Sequence, residues 1–459
     1  MGDNTSRASF LSFVAKVFLP AGYPRSVSPD YLRYQMLNAA QAFCSSLATL
    51  LSLRATLEGY GVGNASASST NALLLTIVQN ISNRLTIIIA AFFFGSSLFP
   101  EAKTYHFLAD LLSDVTIVID TLSPLLASLY EAHVPNFITA LPFLPPTVPL
   151  RVYTLCFSAS IRALCSVTAS GSKTAFKMHF ATPLEGTGDV GDLNAKNSSK
   201  VTVVALLGML IGTMTMPYLT TPWSTYTVLF FMVFFHLLIN YIAVRGVIFR
   251  SLNRQRACLA WMAFKSKCDS INTPTYLASL EHILISSDTI LDLPSGTAIG
   301  RCSMGSSFRA CNPDPDVMEI FQQKHYVICL DKKSSLCFGT KPHFHILLKD
   351  GYNSADQLHA WILACEVTRL FAFMKTKKIG LKTLMQEALT TFNEDYLSFL
   401  EDLHKNGWIT VTVTADESTI KKNSEYQPPP LLPGSQIISF TSGATRNVMI
   451  SFSSTQYNK

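Results

Sequence analysis

At 459 residues the chain is long enough for two or three domains, yet only 14% of it is charged, against a usual share of about 25%, while 48% is hydrophobic. Such a deficit calls for a membrane or an unusually large core. The net charge of +6 comes with no aromatic-interleaved basic groove and no zinc-finger spacing, which excludes nucleic acid as a partner. The ten cysteines are scattered from Cys44 to Cys365 without a CxxC pair, which excludes a disulfide framework and a cysteine zinc motif.

Phe10–Leu19 is too short for a secretory signal and is broken by Lys16, so residues 1–18 read as an amphipathic segment at a membrane surface. Ser28, Pro29 and Asp30 form a helix-start signal, predicting a helix to about Leu57, which ends at the glycines of GYGVG. Asn71–Phe99 is a second apolar helix, interrupted by Asn80, Asn83 and Arg84. Tyr105–Tyr130 is a third and carries Asp110, Asp114 and Asp120; the first two are i,i+4 and share a face. A Pro-rich stretch at 134–150 is followed by a shorter apolar helix, Arg151–Thr168, holding Arg162, and then by a polar loop expected over Gly171–Lys200.

Val201–Leu219 has no charge, and 19 of the 24 residues of Tyr226–Phe249 are apolar, with Arg245 the lone charge. Each is close to the ~20 residues that a helix needs to cross a bilayer. TTPWST between them supplies a turn and an interfacial Trp, so the pair reads as a membrane hairpin. Arg250, Arg254, Arg256, Lys265 and Lys267 follow without an acid, interleaved with Leu259, Trp261 and Phe264, a pattern suited to a helix on an anionic lipid surface. Residues 1–269 contain 19 Lys and Arg against 12 Asp and Glu, and the remainder 17 against 18, so the excess positive charge belongs to the apolar part. Basic flanks mark the cytosolic side, which places the C-terminal part in the cytosol.

Beyond residue 270 the pattern changes to strands at Tyr326–Leu330, Leu336–Gly339 and His343–Leu348, helices at Ser354–Lys377 and Leu381–Lys405, and a last strand at Trp408–Thr414. Polar stretches at 292–316 and 419–435 read as linker or loose loop.

GYPRSVSPDYLRYQ, then QAFCSSL and GYGVGNASA, closely resemble the opening of the root UVB sensitive (RUS) family, whose pattern is GYPxSVSxDYLxYQ, QAFCS and GVG. The resemblance continues through GSSL at 95–98, FLADLLSDV at 107–115, SPLL at 123–126, HFA at 179–181 and NAKNSSK at 194–200, and covers about residues 15–250. The chain departs from the family where Asn80 and Ile87 stand near the Asp and Arg of a glycine-rich stretch, and where Lys173 stands near the Arg of a Gly-Ala-Thr-Arg motif. It is a divergent member by that comparison. The resemblance implies links to early seedling development, root responses to UV-B, auxin transport and vitamin B6 homeostasis; a pyridoxal phosphate link comes from the resemblance alone, and no cofactor is evident from the residues.

Arg84, Asp110, Asp114 and Arg162 lie within otherwise apolar helices, where a charge needs a partner or a wet cavity, so they are the candidate polar pathway or packing charges. His236 and Asn240 are i,i+4 in the most apolar helix and suit interhelical hydrogen bonding. His343 and His345 place two imidazoles on one strand face, with no third metal ligand at a telling spacing. GxSxG, HExxH and P-loop motifs are absent, and no residues suggest catalysis.

The expected fold is mainly α: a multi-helix membrane-embedded domain over 19–250, a basic juxtamembrane helix and linker over 251–319, a small α+β domain over 320–416, and a loosely ordered tail over 417–459. Three functions compete: a multi-pass membrane protein that transports or senses a small-molecule ligand, a membrane scaffold whose C-terminal domain binds a protein partner, and a peripheral helical cofactor-binding protein. Membrane lipid is the partner common to the first two.

Overall fold

The computed structural model describes residues 16–59, 69–94, 98–133, 150–184, 186, 188–266, 272–293, 295–331, 341–373 and 380–409. The chain divides into two compact units, Met1–Val247 and Ile248–Lys459. The fold is mainly helical, with one small sheet in the second unit.

The N-terminal unit contains α1 (Tyr31–Gly59), α2 (Ser69–Phe94), α3 (Ala102–His133), α4 (Leu150–Phe180), α5 (Val190–Thr215) and α6 (Pro222–Arg245). Five of these, all but α3, are long and apolar enough to cross a membrane. Helix α1 packs against α3, α5 and α6, and α4 packs against α2 and α3. The α5–α1 contact rests on Gly208 and Gly212, one turn apart. A Cβ on Gly208 would sit 2.8 Å from Ser46 Cβ, and one on Gly212 would collide with Leu50 Cδ1. The spacing is that of small residues that let membrane helices approach closely.

Large apolar side chains point outward. Phe92 is 76% exposed, Ile88 68% and Trp223 82%, and Phe230, Phe231, Phe234 and Phe235 of α6 are likewise exposed. The interior instead collects buried polar groups, among them His106, Asp114, Asp120, His179, His236 and Asn240. That is the reverse of the usual distribution in a water-soluble domain.

The loop expected over Gly171–Lys200 is mostly helix: α4 runs on through Phe180 and α5 starts at Val190. Gly171 is a packing position, not a breaker, because a Cβ there would meet Leu98 Cβ at 2.6 Å. Asp189 caps α5 by accepting from the Gly191 and Asp192 N–H groups.

The second unit contains α7 (Arg254–Lys265), α8 (Pro274–Leu280), β1 (Thr289–Leu291), β2 (Ala298–Met304), α9 (Phe308–Cys311), α10 (Pro315–Ile320), β3 (Tyr326–Leu330), β4 (His343–Leu348), α11 (Ser354–Phe373) and α12 (Leu381–Lys405). The sheet order is β1-β2-β4-β3, with β2 and β4 parallel and the other pairs antiparallel. Trp261, Trp361, Phe344, Phe392 and Phe399 fill one continuous core. Trp261 Nε1 donates to Glu366 Oε2 at 2.8 Å and Trp361 Nε1 to the Arg254 carbonyl at 2.8 Å, so both indoles are satisfied.

This core corrects the expectation of a basic surface helix and linker over 251–319. Residues Gln255 to Ala263 of α7 are buried, and the stretch expected as linker contains β2. Tertiary folding brings acids to the basic run. Asp288 meets Arg254 at 2.5 Å, Glu281 meets Arg256 at 3.0 Å, and Asp395 meets Lys265 at 2.6 Å. Arg256 is only 2% exposed and belongs to the interior. Arg250 is half-buried, and its carbonyl accepts from the Ile409 N–H. Lys267, the strand expected at 336–339, the tail over 417–459 and all but Trp408 and Ile409 of the expected last strand lie outside the described residues; those two are not in a strand.

Candidate functional site

A cavity of about 470 Å³ lies inside the N-terminal unit. Helix α1 contributes Tyr34, Gln35, Asn38 and Gln41 to its lining, α3 contributes His106 and Asp110, and α6 contributes His236. Lys173, Phe176, Lys177 and Phe180 come from α4, and Asn194, Asn197 and Ser198 from α5. The volume falls within the range typical of small-molecule sites, roughly 300–1,000 Å³.

The polar floor is a network across three helices. The Gln41 amide nitrogen lies 2.5 Å from Asp110 Oδ2 and 3.1 Å from His236 Nε2. Its two protons can serve both, which makes His236 Nε2 an acceptor. His236 Nδ1 then carries the proton and donates to Asp114 Oδ2 at 2.7 Å. Asn240 Nδ2 donates to Asp110 Oδ2 at 2.6 Å. Asp114 Oδ1, Asn240 Oδ1 and His106 Nδ1 are buried without a hydrogen-bond partner among the described residues. Unsatisfied buried atoms are uncommon and cluster where water or ligand is handled. On the wall, Tyr34 Oη lies 3.0 Å from His106 Nε2, and the His106 ring lies 4.6 Å from that of Phe176.

A second set of contacts clamps the start of α1. His179 Nε2 lies 3.0 Å from Asp30 Oδ2, with both side chains buried, and Ser28 Oγ donates to Asp30 Oδ1 at 2.6 Å. Asp30 thus pairs with the far end of α4 in addition to sitting at the positive end of its own helix. Lys200 Nζ donates to Tyr31 Oη at 3.0 Å and to Gln35 Oε1 at 2.9 Å.

Of the four predicted charges, Asp110 and Asp114 come together in this network. Arg84 is exposed on α2 and does not line the cavity. Arg162 pairs with Asp120 at 2.5 Å and is 60% exposed at its side chain, also away from the cavity. Gln41, Tyr34 and His106 were not singled out from the sequence. Spacing could have found His106, which precedes Asp110 and Asp114 by one and two turns on the same face. Gln41 carried no such mark, since its role depends on α3 and α6.

Five motif segments from four helices meet at this cavity. They are GYPRSVSPDYLRYQ through Tyr34 and Gln35, QAFC through Gln41, FLADLLSDV through Asp110, SGSKTAFKMHFA through Lys173 and Phe176, and NAKNSSK through Asn194 and Asn197. The family model described as "Vitamin B6 photo-protection and homoeostasis domain" matches residues 4–267. The chain belongs to the root UVB sensitive family. It is 30% identical over 300 residues to "RUS family member 1" of Dictyostelium discoideum, a match covering 65% of this chain and 52% of that protein. The chain therefore spans about half the length of that relative. It is 24% identical over 419 residues to "Protein root UVB sensitive 3" of Arabidopsis thaliana, covering 89% of this chain and 86% of that protein. "Protein root UVB sensitive 2, chloroplastic" of the same plant is 23% identical over 404 residues, 87% and 82% of the two chains. A match over 89% of the chain cannot stop at residue 267, so the likeness continues into the second unit. No solved structure matches the chain. Lys173, which stands near the family's Arg position, keeps a positive charge beside the cavity.

Proposed function

We propose that this RUS-family chain is a multi-pass membrane protein whose N-terminal unit binds a small anionic solute in the cavity between α1, α3, α4, α5 and α6, in order to transport or sense it. The convergence of five family motif segments on one cavity carries this reading. A polar lining inside an apolar-walled bundle is costly unless its groups pair with one another or with a solute, and Asp114 Oδ1, Asn240 Oδ1 and His106 Nδ1 have no hydrogen-bond partner among the described residues. Lys173 and Lys177 supply positive charge, the Gln35, Asn38 and Asn194 amides supply directional hydrogen bonds, and Tyr34, Phe176 and Phe180 supply flat apolar faces. That combination suits an anionic aromatic heterocycle. The domain's description makes a phosphorylated vitamin B6 compound the first solute to test, held by charge and stacking. Embedding is supported by the outward-facing apolar residues of α2, α5 and α6. The basic residues that flank α5 and α6 in sequence orient the C-terminal unit toward the cytosol.

Carbonate extraction tests the embedding: release of the chain into the soluble fraction would overturn it. Equilibrium dialysis of the detergent-purified full chain with pyridoxal 5′-phosphate, pyridoxal and inorganic phosphate tests the solute. Saturable binding of the phosphorylated compound is expected, weakened roughly 10–100-fold in the Lys173→Gln, Lys177→Gln double variant, the range set by charged hydrogen bonds. Absence of saturable binding by all three probes refutes the anionic-solute reading. If cavity variants complement a null strain while deletion of residues 320–416 does not, the scaffold reading replaces it.

A further inference from the structure

We propose that the C-terminal unit binds one divalent transition-metal ion, of the zinc class, between Asp331, His343 and His345. One donor atom from each of the three lies within 4.8 Å of the others. The site lies wholly within the second unit and owes nothing to the cavity of the first.

Sheet geometry assembles it. His343 and His345 are i,i+2 on β4, so both imidazoles project from one face, with ring centroids 4.4 Å apart. Phe344 and Ile346 alternate with them and are fully buried in the core. On the antiparallel neighbour, Leu330 is opposite Phe344, and the Asp331 N–H donates to the His343 carbonyl at 2.8 Å. Asp331 thereby reaches the face that carries the imidazoles, and its Oδ2 lies 3.8 Å from His343 Nδ1.

The surrounding hydroxyls engage one ring nitrogen of each histidine. Ser303 Oγ donates to Asp288 Oδ2 at 3.3 Å and lies 2.9 Å from His343 Nε2. With Nε2 engaged in this way, Nδ1 is the ring nitrogen on the Asp331 side. Asp288 is held in turn by Arg254 at 2.5 Å. Ser306 Oγ donates to the Ser303 carbonyl at 3.2 Å and lies 2.8 Å from His345 Nδ1. Ser306 thus engages His345 at Nδ1. Orienting partners of this kind typically support metal-ligating histidines.

Two imidazoles and one carboxylate suit zinc, cobalt(II) or iron(II) rather than magnesium or calcium. The three residues are half-buried, so a bound ion keeps a coordination position open to solvent, unlike a closed four-ligand structural site.

The test uses the full chain in detergent, stripped with a chelator and reloaded with Co²⁺, then Zn²⁺. One equivalent per chain is expected, with a visible spectrum of nitrogen and oxygen ligation, displacement by Zn²⁺ and indifference to Mg²⁺. Asp331→Asn and His345→Gln should each weaken binding by more than the roughly 10–100-fold that an outer partner is worth, and Ser303→Ala should fall within that range. Zn²⁺ should raise the melting temperature of the parent chain but not of His345→Gln. Substoichiometric metal, a thiolate charge-transfer band, or affinity unchanged in Asp331→Asn and His345→Gln would each overturn the assignment. If His345→Gln fails to fold, Asp331→Asn and Ser303→Ala with a parental melting temperature decide the question.

Discussion

Asp110→Asn and Asp114→Asn should fail in different ways, although the two residues are one turn apart on α3. Asp114 is 2% exposed and accepts a 2.7 Å hydrogen bond from His236 Nδ1. Replacing its carboxylate by an amide weakens a buried charge-assisted bond, at a cost of roughly 1.5–3 kcal/mol. Against a total stability of about 5–15 kcal/mol, this should lower the melting temperature by several degrees. Asp110 is half-buried and lines the cavity, and its Oδ2 accepts from both Gln41 and Asn240. An asparagine oxygen can retain one of these bonds, so stability should fall by only about 1 kcal/mol while solute binding falls further. His236→Leu should be the most damaging, at about 3–5 kcal/mol, because it strands the Asp114 carboxylate. Combining it with Asp114→Asn should recover part of that loss, and a double-mutant cycle measures the coupling. The assays are thermal melts of the detergent-solubilised chain and equilibrium dialysis with pyridoxal 5′-phosphate. Equal loss of binding in the two Asp variants, with Asp114→Asn melting like the parent, would refute the division into floor and support. Strict additivity of His236→Leu and Asp114→Asn would refute the pairing.

Gly208→Val should force α5 away from Ser46 of α1 and cost about 1–3 kcal/mol, read as a lower melting temperature and increased protease cleavage; a parental melt would show that the helices do not approach there. In the second unit, burial drives His359 down to about 3, while its Nδ1 lies 2.5 Å from Tyr326 Oη. The unfolded chain takes up that proton near the ordinary value of about 6.5, so the contribution is fully present above 6.5 and is lost as pH falls toward 3. Going from pH 7 to 4.5 should cost roughly 2–3 kcal/mol, and His359→Gln should flatten this limb in urea melts; identical slopes would show that His359 ionises in the folded chain. Glu366 is fully buried and accepts from Trp261 Nε1 and from Arg369 Nε and Nη2. Glu366→Gln should destabilise the unit by about 2–3 kcal/mol, discounted for the partly exposed Arg369, and a change below the error of a denaturant melt would contradict the ion-pair assignment.

Local composition and period determined much of this protein. The apolar lengths of Val201–Leu219 and Tyr226–Phe249 predict helices, and α5 and α6 hold all but the last few residues of each, because a run of that character has few other stable conformations. The i,i+4 spacing of Asp110 and Asp114 predicts a shared face, and both carboxylates enter one network. The GYPRSVSPDYLRYQ motif was enough to indicate the family.

What the sequence did not disclose depends on partners distant along the chain. Asp288, Glu281 and Asp395 neutralise a basic run that suits a lipid surface by sequence, and the loop expected over Gly171–Lys200 begins in helix, where Gly171 packs on Leu98. Arg84 and Arg162 resemble Asp110 and Asp114 in sequence, yet of the four only Asp110 lines the cavity, with Asp114 behind it on His236, since helix rotation is set by packing and not by residue type. His343 and His345 lacked a third ligand by spacing, and strand pairing brought Asp331 to them from across the sheet. Sequence period fixes which side chains share a face, but which faces meet is decided by long-range packing, and both candidate sites are built where such faces meet.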